Sequence, residues 1–146
     1  MPSQSLTSAM LCPALVKVAE TSFFAFAEPG GGDAMPAVPY WYTASVRFRG
    51  PVSGQVTVAM PVPLAYDLAA AFLGGDEVNE PIVRDLCGEF VNQVTGTWLT
   101  ELDEPVGFDL DGPAVGWVEG MPEPGVAMTV NDQPVIVTLD LATESL

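Results

Sequence analysis

Two runs of strict alternation, one on each side of a single turn, constrain this chain more than any other feature. In "WYTASVRFRG", Val46 and Phe48 fall on one face and Arg47 and Arg49 on the other. In "VSGQVTVAM", Val56, Val58 and Met60 oppose Gln55, Thr57 and Ala59. A period of two marks a strand with one buried face, and Gly50-Pro51 between the runs suits a reversal of direction. The pair therefore reads as an antiparallel hairpin. The C-terminal third repeats the pattern, with "GVAMTV" and "PVIVTLDL" alternating around Asn131-Asp132-Gln133, a turn signal. Weaker strands are expected near Val106 to Leu110 and near Ala114 to Val118.

Helical spacing fills much of the remainder. Leu15, Val18, Ala19, Ser22, Phe23 and Phe26 share one face of a helix expected over Ala14 to Ala27, stopped by Pro29-Gly30. "PLAYDLAAAFLGG" sets Leu64, Ala65, Leu68, Ala69 and Phe72 on one stripe, ended by Gly74-Gly75. The longest helix is expected from roughly Glu80 to Leu102. Local hairpins combined with amphipathic helices predict an α+β fold. We expect a single domain over residues 1–146: a largely antiparallel sheet, helices packed on one face, and a long central helix. Residues 1–13 are expected to form a loosely ordered lead. A globule of 146 residues buries about 70% of its unfolded surface, and 49% hydrophobic content supplies the core.

Charge narrows the function classes. Four basic residues (Lys17, Arg47, Arg49, Arg84) face nineteen acidic ones, for a net charge of −15. Phosphate neutralisation needs clustered Lys and Arg, so nucleic acid is excluded as a partner, and anionic membrane surfaces are disfavoured. No apolar run approaches the roughly 20 residues of a membrane span, and "MPSQSLTSAM" lacks the basic start of a signal peptide. A cytoplasmic location is the expectation. There is no histidine, which removes the usual general base and every Ser-His or Cys-His nucleophile. Cys12 and Cys87 are too few and too dispersed for a disulfide framework or a zinc site, and read as small buried hydrophobes. No GxGxxG or GxxxxGK[ST] motif is present, and the prolines of "EPGGGDAMPAVP" make it a loop. Any chemistry must rest on carboxylates, amides and hydroxyls, or on groups that a partner supplies.

The long helix concentrates such groups. With Asp85 at the origin and about 100° per residue, Glu89 falls near 40°, Asn92 near 340°, Gly96 near 20° and Gly88 near 300°. Leu86, Cys87, Phe90, Val94 and Trp98 occupy the opposite side. Two glycines inside a helix each cost roughly 1 kcal/mol relative to alanine. Here they lie along or beside the polar stripe, where a side-chain-free patch lets another backbone or a bulky group come close.

The ExxN spacing of Glu89 and Asn92, with an acidic residue four positions before the Glu and Pro113 downstream, resembles the signature of the CheX/CheC/FliY family of chemotaxis phosphatases. "FRGPVSGQVTVAMPVPLAYDLAAAFLG" is similar to the family's hairpin and following helix, and "GEFVNQVTGTW" to its motif helix. With one ExxN, the chain is most similar to CheX. Pro113 follows Asn92 after 20 residues, one fewer than the family spacing. The resemblance implies dephosphorylation of a phosphorylated CheY-like response regulator. The receiver would supply the aspartyl phosphate, its Mg²⁺ and a lysine, and this chain would bind no cofactor. Asn92 would aim the attacking water and Glu89 would pair with the receiver's lysine. Asp85 would be supporting, with Gly88 and Gly96 bordering the stripe and Gly96 and Pro113 structural. A receiver's phosphorylation pocket is acidic, so Arg84, Arg47 and Arg49 are the candidates to offset this chain's own charge. The resemblance also implies a homodimer, for which the terminal hairpin would offer an edge. Two alternatives stand beside the enzyme: a CheX-like binding domain that docks without hydrolysis, and an unrelated structural domain.

Overall fold

The computed structural model describes residues 6–30, 38–74, 77–102 and 107–142. A 3-10 turn (Ser8–Leu11) leads into α1 (Cys12–Ser22) and β1 (Ala27–Pro29). The hairpin follows as β2 (Tyr40–Arg49) and β3 (Gly54–Pro61), then α2 (Val62–Phe72) and α3 (Glu80–Glu101). The chain finishes with β4 (Asp109–Leu110), β5 (Ala114–Glu119), β6 (Val126–Val130) and β7 (Gln133–Leu141). All seven strands join one antiparallel sheet in the order β1-β6-β7-β3-β2-β4, with β5 also on β2. The α+β expectation holds.

Alternation decides which face is covered. Tyr42, Ala44, Val46 and Phe48 of β2 join Val56, Val58 and Met60 of β3 in the core, with the apolar stripes of all three helices. α3 lies across β2 and contributes Val83, Cys87, Phe90, Val91, Val94, Trp98 and Leu99. Phe23 packs its ring 5.1 Å from Phe90, and Phe48 packs 5.5 Å from Trp98. The β6–β7 hairpin turns through Asn131 and Asp132 at φ 49° and 66°, the paired left-handed residues of a two-residue hairpin loop.

Three expectations are revised. First, α1 ends at Ser22, not near Ala27: Phe24 turns left-handed at φ 54°, and the Ala25 N–H reaches back to the Ala19 carbonyl. This frees residues 27–29 to pair with β6 and leaves Phe26 exposed, off the apolar face assigned to it. Second, residues 6–13 are docked, not loose. Leu11 is fully buried, Leu6 packs on the core, and Ser8 Oγ accepts the Leu139 N–H at 2.8 Å. Residues 1–5 of the expected lead lie outside the described residues. Third, the terminal hairpin offers less edge than expected, because β1 pairs with β6 from Met128 to Val130.

Candidate functional site

The long helix starts on its own signals. Asn79 Oδ1 accepts the Ile82 N–H at 3.1 Å, Pro81 takes an early position where no amide is needed, and Glu80 complements the positive helix start. The apolar face then fixes the rotation of α3 against the sheet, which sends Asp85, Glu89 and Asn92 outward. Asp85 and Glu89 are exposed and Asn92 is half-buried. Glu89 Oε2 accepts a hydrogen bond from Gln93 Nε2 at 2.9 Å, and Gln93 Oε1 accepts one from Ser22 Oγ at 2.7 Å. The Asn92 amide has no hydrogen-bond partner among the described residues.

The two glycines differ. Gly96 borders the stripe as expected, and a Cβ there would meet nothing within 4 Å. Gly88 is buried, and a Cβ there would lie 3.0 Å from Pro113 Cγ and 3.5 Å from Val115 Cγ2. Its missing side chain admits this chain's own Pro113, not an incoming partner, which corrects the insertion role given to Gly88. Pro113 arrives there through a bulge. β2 pairs with β5 as far as Ser45↔Ala114 and with β4 from Phe48↔Leu110. Val46 and Arg47 therefore face three residues, Asp111, Gly112 and Pro113. Such an extra residue re-aims a strand and accommodates a proline that cannot join the ladder.

Positive charge around the site is sparse. Of the three arginines proposed as offsets, Arg84 alone lies on α3, bonded to the Val115 carbonyl at 2.8 Å and to Glu80 at 3.4 Å. Arg47 and Arg49 alternate with buried Val46 and Phe48, so they project from the helix-free face. Arg49 makes a two-pronged pair with Asp111 at 2.8 and 3.0 Å, which holds the Asp111 carboxyl below its ordinary range. Inside the core, burial pushes the Cys87 thiol up to about 12. Tyr42 is also shifted up, by burial and by its hydrogen bond to Glu80. Both groups stay neutral at physiological pH, and neither is a nucleophile or base for the site. Among the described residues no cluster of His, Cys, Asp or Glu could hold a metal ion.

Shape is the remaining clue. A groove on the helix-free face is lined by Thr43, Ser45, Thr57 and Thr138 under the β5–β6 loop. It and three other hollows include none of Asp85, Glu89 and Asn92. The polar stripe faces outward, with Asp85 and Glu89 exposed and open space beside Gly96, an arrangement suited to meeting a partner's surface. Residues the sequence reading missed are Gln93 and Ser22. Gln93 stands four residues after Glu89, a spacing that places two helical side chains in contact. Nothing local in the sequence pairs Ser22 with it.

The family model for chemotaxis phosphatase CheX matches residues 42–116, just over half of the chain. Among solved structures, chemotaxis protein CheX from Desulfovibrio desulfuricans superposes with a TM-score of 0.72 at 19% identity, covering 92% of this chain and 98% of that one. CheX from Vibrio vulnificus gives 0.69 at 19% identity, over 91% and 97%. The CheX–CheY–BeF3–Mg²⁺ complex from Borrelia burgdorferi gives 0.64 at 16%, over 92% and 97%. No curated protein matches the chain in sequence. The matched stretch begins in β2 and runs through α3 to the Pro113 bulge and β5, and on that match the chain belongs to the CheX family of chemotaxis phosphatases.

Proposed function

We propose that this protein dephosphorylates a phosphorylated CheY-like receiver domain in the cytoplasm by inserting the polar stripe of α3 into the receiver's aspartyl-phosphate site. The observation that carries this reading is the outward-facing stripe itself. Glu89 and Asn92 stand outward on a rigid helix, beside a Gly96 with open space where a side chain would be. Water attacks phosphorus, the bond to the aspartyl oxygen breaks, and the carboxylate and inorganic phosphate leave. Phosphoryl transfer asks a helper mainly for positioning and charge complementarity. An amide is too weak a base to take the proton, but the Asn92 side chain can hydrogen-bond and aim the water. The ionised Glu89 pairs with the receiver's lysine and sets the register of docking. Asp85, one turn earlier, supports that register. The receiver brings its own Mg²⁺, which balances charge on the transferring group, and this chain binds no cofactor.

The test uses the receiver encoded nearest this protein's gene, phosphorylated by a small-molecule donor, with phosphate release followed with and without the protein. Acceleration is expected, and Asn92→Ala should reduce it on the order of 10²-fold, the scale of a lost positioning or electrostatic group. Glu89→Ala should weaken complex formation as well as rate. Binding without any acceleration would replace the enzyme with a docking domain. Full activity in Asn92→Ala would move the site elsewhere.

A further inference from the structure

We infer that Gln93 and Ser22 are positioning residues that hold the Glu89 carboxylate in its docking geometry, an assignment that rests on the proposed function. Ser22 is the last residue of α1 and lies 71 positions before Gln93 in sequence, yet its Oγ donates to Gln93 Oε1 at 2.7 Å. Gln93 Nε2 in turn donates to Glu89 Oε2 at 2.9 Å. The direction of this relay is fixed by chemistry. An ionised carboxylate only accepts, so the amide nitrogen must face Glu89 and the amide oxygen must face away. The hydroxyl of Ser22 supplies the donor that oxygen then needs. Bonds aligned in this way polarise one another, and the inner bond is partly shielded from solvent.

The arrangement solves a specific problem. An exposed glutamate samples several rotamers, and fixing one on docking costs affinity. Gln93 occupies the next turn on the same flank, and Ser22 anchors that amide to a second helix. Glu89 is therefore presented in one orientation before the partner arrives. α1, which carries no motif residue, thereby contributes to the site.

The test is a double-mutant cycle on the intact protein with two readouts. Affinity is measured for the Mg²⁺- and beryllofluoride-loaded receiver, and KM and kcat for its phosphorylated form. Gln93→Leu is expected to weaken affinity and raise KM about 3- to 10-fold, the worth of one ordinary hydrogen bond, with kcat changed less than twofold. In the Glu89→Ala background the same substitution should have no effect on affinity, because there is no carboxylate left to orient. Ser22→Ala should reproduce part of the Gln93→Leu effect, and Ser22→Thr, which keeps the hydroxyl, should restore it. A merely structural role predicts equal losses with and without Glu89, and that result overturns the assignment. So does a Gln93→Leu variant with unchanged affinity while Glu89→Ala is impaired, an outcome that leaves the proposed function standing. If Glu89→Ala and Asn92→Ala are both silent, the proposed function itself fails and the positioning role falls with it.

Discussion

An alanine at position 96 adds a methyl group to open space, whereas one at position 88 presses on the Pro113 ring. The two helical glycines therefore respond differently to bulk, and that contrast separates architecture from docking. Gly96→Ala is expected to stabilise the fold by up to about 1 kcal/mol through helix propensity. Gly96→Leu should remain folded while slowing receiver dephosphorylation, since its side chain stands beside the stripe. At position 88 the same propensity gain is offset by the displacement of Pro113, so alanine should be nearly neutral. Gly88→Leu must push the bulge away and should cost about 1–3 kcal/mol. Urea melts give the stabilities, and phosphate release gives the docking effect. A Gly88→Leu variant as stable as the parent would contradict the buttress. The stripe of Asp85, Glu89 and Asn92 was legible from helical phase alone. The use of Gly88 was not, because its partner lies across a one-residue bulge that no local pattern announces.

At the scale of elements, the hairpins, α2 and α3 lie where the hydrophobic period places them, with Phe72 exposed at the end of α2 and Ala59 and Ile136 buried against Trp41 in a second, smaller cluster. α1 departs from its period because tertiary pairing outweighs it. Ser22, Phe23 and Phe26 continue a helical face in sequence, but residues 27–29 are drawn into the sheet by β6. The price is Phe24, a bulky side chain in the left-handed region and 74% exposed, where glycine is the usual occupant. The Phe26 amide bonds Asn131 Oδ1 and the Phe26 carbonyl accepts from the Asn131 N–H, which secures the new direction. Phe24→Gly loses little burial and relieves roughly 1–2 kcal/mol of left-handed strain, partly offset by the greater freedom of glycine when unfolded. A gain of about 0.5–1 kcal/mol, or a Tm higher by about 1–4 °C, is expected in thermal melts. A lowered Tm would mean that the exposed ring contributes packing that outweighs the strain.

At the scale of the whole molecule, two features of charge set how the protein meets its solvent. Nineteen acidic residues against four basic ones leave a net charge of −15. The two ion pairs formed among the described residues are exposed, and pairs of that kind contribute little. Self-repulsion should therefore dominate at low salt, and Tm at neutral pH should climb as sodium chloride screens it. A flat salt response would show that the charges are already well separated. The second feature lies in the core. Cys87 is held protonated by burial, from an ordinary value of 9.0 up to about 12, and Tyr42 is raised above its own ordinary value of 10.0. The folded state thus keeps protons that the unfolded state releases. Stability from Cys87 is present below about pH 9 and is lost as pH rises from there toward 12, and that from Tyr42 is present below about pH 10 and is lost as pH rises above it. Each released proton also adds negative charge to a chain that already repels itself. Tm measured from pH 8 to 11 should fall progressively, and Cys87→Ala should flatten the slope by removing its share, leaving those of Tyr42 and of Cys12, whose thiol is also raised by burial. Alkylation of Cys87 should track global unfolding across the same range, since the thiol is both buried and protonated while the fold persists. Rapid labelling of Cys87 under native conditions, or a slope unchanged by Cys87→Ala, would place the thiol in contact with solvent and remove it from the alkaline transition.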